Sequence, residues 1–418
     1  MLGSALLAPG SAGAATFGTQ EDIGGPTASP ARVAATLDAA GRAGAKLFRV
    51  EANWSGLEPD APGRRDPAEL AALDRLVDAV SARGMKTVLF INRTPCWASS
   101  APAGVRNGCD RGDVNRPAVW RYRPTSPRSV VPVSTFLIAR YAKRLAAFQI
   151  WNEPDQANEK YWAGDDKVRS YVAMTRALYK PLKRAAPKVP VLAGSFVGSN
   201  GRWLSAMYAA GAKGNYDGLA VQFYSRTLFA LRNTRAIQRA NGDRKPLWLT
   251  EYGFSGCLRP GGPALQIDQP CVSGAAQVQG TVDILAALKR RSWVKAAIQY
   301  DVFDDGPGGY TFGLFTSVGK AKPLVQAIRR VLSGRVRLPR APTVRLRQSG
   351  GRLTIAGTAS ITELLTVRVS RGGVLRYRAT LVTDPRGRWS LRLPAVLGAS
   401  GLTVSASAGW TGSVSRRS

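Results

Sequence analysis

Eight short, mostly apolar runs recur between residues 15 and 303, and amphipathic stretches fill the intervals. The runs are ATFGTQ from Ala15, KLFRVEANW from Lys46, KTVLFIN from Lys86, AAFQIWNE from Ala146, VPVLAGSF from Val189, DGLAVQFY from Asp217, PLWLTEYG from Pro246 and VKAAIQYDVF from Val294. Nearly continuous apolar runs of this length suit strands buried on both faces, as in a parallel sheet. The intervals have helical spacing. In DPAELAALDRLVDAVSARG, Leu70, Leu73, Val77 and Val80 recur at three- and four-residue steps, Pro67 sits in the first turn and Gly84 closes the end. VRSYVAMTRALYKPLKRA and AAQVQGTVDILAALKRR repeat the pattern. Eight strand–helix units in one stretch predict an α/β fold, a (β/α)8 TIM barrel. A doubly wound open sheet is the alternative, but no GxGxxG follows the first run.

The periodicity changes after Gly334. RLPRAPTVRL, rich in proline and arginine, leads into short alternating runs: GRLTIAGTA, LLTVRVS, VLRYRATLV, GRWSLRLP and LTVSASAGW, separated by glycine-rich turns. That is the pattern of a small all-β sandwich, immunoglobulin-like in size. The expected organisation is a tail at 1–15, a barrel at 16–333, a linker at 334–342 and a β-sandwich at 343–418. A packing appendage and a surface- or glycan-attachment module are equal readings of that last domain.

Composition narrows the chemistry. The chain of 418 residues has no histidine, which excludes Ser-His-Asp and Cys-His catalysis and any histidine-ligated metal. Carboxylates, lysine, tyrosine or a cofactor are left. The net charge is +32, with 59 basic residues of which 45 are arginine. Such a charge suits an anionic polymer or cell surface; arginine bias on a solvated surface is the plainer reading. No nucleic-acid-binding motif and no compact basic run is present, so no specific nucleic-acid partner is expected. Cys96 and Cys109 flank one short loop, Cys257 and Cys271 another. Two local pairs fit two disulfides and an oxidising compartment. Four buried thiols are the alternative, and zinc is disfavoured because neither pair has CxxC spacing. MLGSALLAPGSAGAA resembles the back half of a secretory signal, or else a small-residue tail. No run approaches the roughly 20 apolar residues of a membrane-spanning helix. The expected location is therefore extracellular or at the cell envelope, and the expected state a monomer.

In a (β/α)8 barrel the site lies at the C-terminal strand ends. The polar residues that finish the runs are Arg49, Glu51, Asn53 and Trp54; Asn92, with Trp97 beyond; Asn152 and Glu153; Gln222 and Tyr224; Glu251 and Tyr252; and Tyr300, Asp301 and Asp304. Carboxylates, amides and aromatic rings at one mouth suit neutral sugars. Glu153 and Glu251, on the fourth and seventh runs, face each other across that mouth. Glycoside hydrolysis needs such a pair. Glu51, Asp301 and Asp304 are left as rim residues.

IWNEPD together with LTEYGF resembles clan A of the glycoside hydrolases, in detail the family 39-like and polysaccharide-associated endoglycosidases. FRVEANWSGLEP, TPCWAS, WNEPDQANEKYWAGD and FGLFTSVGKAKPLVQAI extend the similarity over the whole barrel. The resemblance implies a retaining O-glycosyl hydrolase that acts on a poly- or oligosaccharide with no metal and no organic cofactor. It implies Glu153 as acid/base and Glu251 as nucleophile. Asn152 would hold the sugar's 2-hydroxyl, Arg49 would pair with the nucleophile and keep it ionised, and Tyr224 would hydrogen-bond it. Trp54, Trp97 and Tyr300 are candidate stacking surfaces. The chain departs from the pattern at Gln222, where relatives carry histidine, and at Tyr300, where they carry tryptophan. A non-catalytic glycan- or cell-wall-binding barrel and a transglycosylase with the same glutamates are the rival readings.

Overall fold

All eight expected runs are parallel strands of one closed barrel, ordered β1 to β8 with β1 paired back to β8. The computed structural model describes residues 15–107, 109, 117–197, 201–224, 228–256, 273–305, 311–336, 341–349, 352–360, 364–384, 387–393, 397, 400–408 and 412–417. Elements follow in the order β1 (Thr16–Gln20), α1 (Pro30–Ala43), β2 (Leu47–Asn53), α2 (Trp54–Leu57), α3 (Pro67–Ala82), β3 (Lys86–Asn92), α4 (Ala103–Arg106), α5 (Pro117–Trp120), α6 (Val131–Tyr141), β4 (Leu145–Ile150), α7 (Lys167–Ala185), β5 (Val191–Val197), α8 (Gly201–Ala209), β6 (Gly218–Phe223), α9 (Phe229–Ala240), β7 (Leu247–Tyr252), α10 (Gly274–Leu288), β8 (Val294–Gln299) and α11 (Pro323–Leu332).

Local chemistry explains the helix boundaries. Asp66 caps α3 by accepting from the backbone N–H of Ala68 and Glu69, and Pro67 takes the first helical position, where no N–H is needed. Leu73, Val77 and Val80 are buried as their spacing requires, and Gly84 supplies the left-handed exit at φ +68°. Among the described residues no helix is long and apolar enough to cross a membrane.

The barrel strands all belong to one compact unit; a second unit comprises Tyr224–Arg232, Phe254–Ala287 and Asp304–Ser418. Within the barrel, Leu47, Val88, Ala147, Leu192, Ala220, Trp248, Ala296 and Ile298 form one buried cluster. Side chains two positions further along a strand share the same face. Arg49, Gln149 and Gln222 therefore project into the barrel above Leu47, Ala147 and Ala220. On β7 the parity would turn Glu251 outward. Between the pairs Val221–Leu249 and Gln222–Glu251, β7 has one extra residue, Thr250, and this bulge aligns Gln222 with Glu251 and corrects it.

The second unit contains the sandwich. One sheet has the order β13-β10-β9, from β9 (Arg345–Ser349), β10 (Arg352–Thr358) and β13 (Arg388–Arg392). The other has the order β12-β11-β14-β15, from β11 (Leu364–Arg371), β12 (Val374–Val382), β14 (Leu402–Ala408) and β15 (Gly412–Arg417). Leu353, Ile355, Leu365, Val367, Val369, Trp389 and Val404 are among its core residues. β9 and β15 are two strands beyond the five expected. Both are short and mostly exposed, so they show little hydrophobic alternation. Still in this unit, Asp283 of α10 is buried and accepts from Ser360 Oγ at 2.8 Å and Gln279 Nε2 at 2.6 Å. Burial pushes its carboxyl up to about 6.

Candidate active site

Arg49 organises the barrel mouth. From β2 its guanidinium donates to Glu251 Oε1 at 2.6 Å, Asn152 Oδ1 at 2.7 Å, Gln20 Oε1 at 2.7 Å and Gln149 Oε1 at 3.2 Å, and it lies 3.9 Å from the centre of the Phe90 ring. A buried guanidinium is tolerable only when its forks are filled in this way. Gln222 Nε2 donates to the same two acceptors, Asn152 Oδ1 at 2.6 Å and Glu251 Oε1 at 2.9 Å. Gln222 thus links the Asn152–Glu153 loop to Glu251 on β7. Both donors approach the oxygen of Asn152, so its amide N–H groups are turned away from them.

Glu153 is not on a strand. β4 ends at Ile150, three residues earlier than the apolar run implied, because Trp151 and Glu153 adopt left-handed backbone at φ +64° and +41°. Non-glycine residues there are strained and need surroundings that hold them. The holding contacts are specific. Gln149 Nε2 donates to Trp151 O at 2.7 Å, and Trp151 Nε1 to Tyr161 O at 2.6 Å. The Trp151 and Trp162 rings meet edge to face at 5.2 Å. The Glu153 backbone N–H donates to Ser195 O at 3.1 Å, and Asp155 Oδ1 accepts from Val197 N at 3.0 Å. Ser195 itself sits in a β5 irregularity at φ +51°, next to Gly194 at φ +100°. A Cβ on Gly194 would lie 2.9 Å from Ala220 O, so only glycine fits there.

The two carboxyls have opposite environments. Glu251 is ion-paired with Arg49. Glu153 is buried, accepts a close hydrogen bond from Gln156 Nε2, and forms no described ion pair. Burial, then the nearby Glu251 and Asp155 carboxylates, push its carboxyl well above the ordinary range and so favour its protonated form. A second carboxyl pair stands on the rim. Glu21 accepts from Phe303 N at 3.0 Å, and burial together with Glu21 pushes Asp301 up.

The remaining expected residues are distributed unevenly. Trp54 is fully buried and donates to Glu58 Oε2 at 3.1 Å, so its ring has no free face and it packs instead of stacking on a sugar. Trp97 is half-buried, meets Trp54 edge to face at 5.5 Å and donates to Glu58 O. Tyr300 lies one residue beyond β8, half-buried, with a cis peptide to Asp301. Tyr224 falls in the second unit, where its ring packs against Phe312 at 5.5 Å. Glu51 is held bidentately by Arg93, and Asp304 pairs with Lys322 at 2.5 Å. Cys96 and Cys109 are disulfide-bonded, as expected; Cys257 and Cys271 lie outside the described residues.

Four residues of the network escape sequence reading. Gln149 had a signal, being the one polar residue in the buried strand LAAFQI. Gln20, Ser195 and Gln156 had none, since polar residues at a strand end or in a loop are ordinary.

A buried acid just beyond strand four and an ion-paired carboxylate near the end of strand seven of a parallel barrel define the glycoside hydrolase type of site. The comparisons agree. A family model described as the glycosyl hydrolase catalytic core matches residues 138–325, which include both glutamates. Among solved structures, a family 39 glycoside hydrolase from Bacteroides cellulosilyticus WH2 is similar at a TM-score of 0.57 and 16% identity, over 91% of this chain and 79% of the other. The family 39 enzyme from Xanthomonas axonopodis pv. citri aligns at 0.55 and 13%, over 91% of each chain. A family 39 β-xylosidase from Caulobacter crescentus aligns at 0.54 and 15%, over 92% and 94%. No curated protein matches the sequence. Residues 138–325 thus match the glycosyl hydrolase catalytic core, and the fold is similar to that of these family 39 structures.

Proposed function

We propose that this protein is a retaining glycoside hydrolase that cleaves a poly- or oligosaccharide by double displacement. The observation that carries this reading is the split between its carboxyls: Glu153 buried in surroundings that favour its protonated form, Glu251 held by Arg49 and Gln222. Glu153 gives its proton to the glycosidic oxygen as Glu251 attacks the anomeric carbon, which leaves a glycosyl ester on Glu251. The Glu153 carboxylate then takes a proton from water, which displaces the ester with overall retention. When Glu251 gives up its charge to the ester, Glu153 loses one of the repulsions that raised it, so its carboxyl ionises more readily and the carboxylate is available as the base of the second step. The N–H groups of Asn152 are the donors for a sugar hydroxyl beside the nucleophile. The Cys96–Cys109 disulfide supports an extracellular or cell-envelope location.

The test is turnover of aryl glycosides by Glu153→Gln and Glu251→Ala. Each should fall by at least a thousandfold, and azide should rescue Glu251→Ala to a product of inverted configuration. A 2-fluoro glycosyl fluoride should esterify Glu251. Unchanged turnover, or absence of the ester under conditions that label a reference glycosidase, refutes the reading in favour of a non-catalytic glycan-binding barrel. Glycosyl transfer in place of hydrolysis in the product analysis would make it a transglycosylase.

A further inference from the structure

The outer face of the sheet β12-β11-β14-β15 carries a pattern that the barrel does not. In the register of the ladders, Arg378 on β12 lies directly opposite Arg368 on β11, followed in the same row by Ser405 and Ser415. The next row runs Ser370, Thr403 and Arg417. Arg376 is exposed at the β12 irregularity. The alternate positions, such as Val367, Val369 and Val404, fill the core, so the opposite face carries the arginine and hydroxyl side chains, with Val382 and Leu375 exposed beside them on the edge strand β12.

Like charges directly opposite one another destabilise a sheet. Here nothing on the face offsets them. Among the described residues, Arg368, Arg376, Arg378 and Arg417 make no ion pair, and Asp384 is already taken by Arg388. From Gly334 onward 15 arginines stand against two acids, whereas the preceding chain has 44 basic and 25 acidic residues. Elsewhere in the chain, Arg83, Arg93 and Arg140 are each paired with an acid, Asp38, Glu51 and Asp74. What sets this face apart is that two unpaired arginines, Arg368 and Arg378, stand directly opposite each other across a ladder.

We infer that this face binds an anionic polysaccharide, with arginine forks on its acidic groups and the serine and threonine hydroxyls on its sugar hydroxyls. The charges specify an anion. The described face offers no aromatic ring on which bases would stack, and a flat sheet does not enter a duplex groove. Nor do its described residues include the aromatic side chains that anchor proteins at membrane interfaces. The inference is independent of the catalytic reading, since none of these arginines belongs to the barrel.

The experiment is affinity measurement of the full chain on polygalacturonate at 50 and 300 mM NaCl, with neutral dextran, duplex DNA and phosphatidylserine vesicles in parallel. Four ionic contacts predict about a hundredfold loss over that salt range. Arg368→Ser, Arg376→Ser, Arg378→Ser and Arg417→Ser combined should weaken binding at least tenfold. A charge-matched variant with Arg128→Ser, Arg176→Ser, Arg202→Ser and Arg239→Ser should stay within threefold of the parent. Arg378→Ser alone, at the sheet edge, gives a smaller loss in the same direction without the folding risk of the combined variant. Aryl glycoside turnover should be unchanged throughout. Equal weakening by the two sets would show net charge only and overturn the assignment. So would no binding to polygalacturonate, equal binding to dextran, or tighter binding to DNA or vesicles.

Discussion

Replacing Gln149 by leucine tests whether the glutamate loop is held as described. The side chain is wholly buried and makes three hydrogen bonds: it accepts from Arg49 Nε at 3.2 Å and donates to Trp151 O at 2.7 Å and Ser195 Oγ at 2.9 Å. Leucine fills the volume but satisfies none of them. A bond to a charged donor contributes about 1.5–3 kcal/mol, and a buried carbonyl left unpaired costs about 1–3 kcal/mol. Arg49 keeps its bonds to Glu251, Asn152 and Gln20, so the loss is partial. The sum is about 3–5 kcal/mol, a large part of the roughly 5–15 kcal/mol that stabilises a domain. Urea unfolding at pH 7 measures it. Because Gln149 positions Trp151 and Arg49 without facing the substrate, kcat should fall by at least tenfold while KM changes little. Gln149→Glu keeps the acceptor for Arg49 and loses both donors, so it should fall between. A leucine variant within about 1 kcal/mol of the parent and with normal kcat would refute the account of how the strained Trp151–Glu153 backbone is held.

Two predictions concern pH. Asp155→Asn keeps an oxygen for the Val197 N–H but removes one of the charges that raise Glu153, so the basic limb of the kcat/KM profile should move to lower pH; an unmoved limb would refute the electrostatic link. Asp283 rises from its ordinary 3.8 to about 6 in the folded state, so the native protein binds more protons than the unfolded chain across that window. Stability should therefore fall as pH rises from about 4 to 6, by about 3 kcal/mol in full, and stay at the lower level above it. Asp283→Asn should remove that slope and be the more stable protein at pH 7; parallel unfolding-midpoint curves from pH 4 to 7 would contradict this.

Much of this protein is legible along the chain because its signals are local. Buried parallel strands must be apolar on both faces, so the eight runs from Ala15 to Val294 announce the barrel, and Asp66, Pro67 and Gly84 mark the ends of α3 by cap chemistry. The Asn152-Glu153 and Glu251 contexts stand out since a carboxylate at the end of an apolar run is costly without a purpose. The tertiary structure decided what depends on neighbours distant in sequence. It turned Glu251 inward by a bulge at Thr250 of β7, and it stopped β4 at Ile150 so that a strained loop carries Glu153. It buried Trp54 against Glu58 and drew Gln20, Gln149, Asn152 and Glu251 around one guanidinium. Burial, register and the field of a second carboxylate are properties of the packed barrel, and no single segment of the sequence contains them.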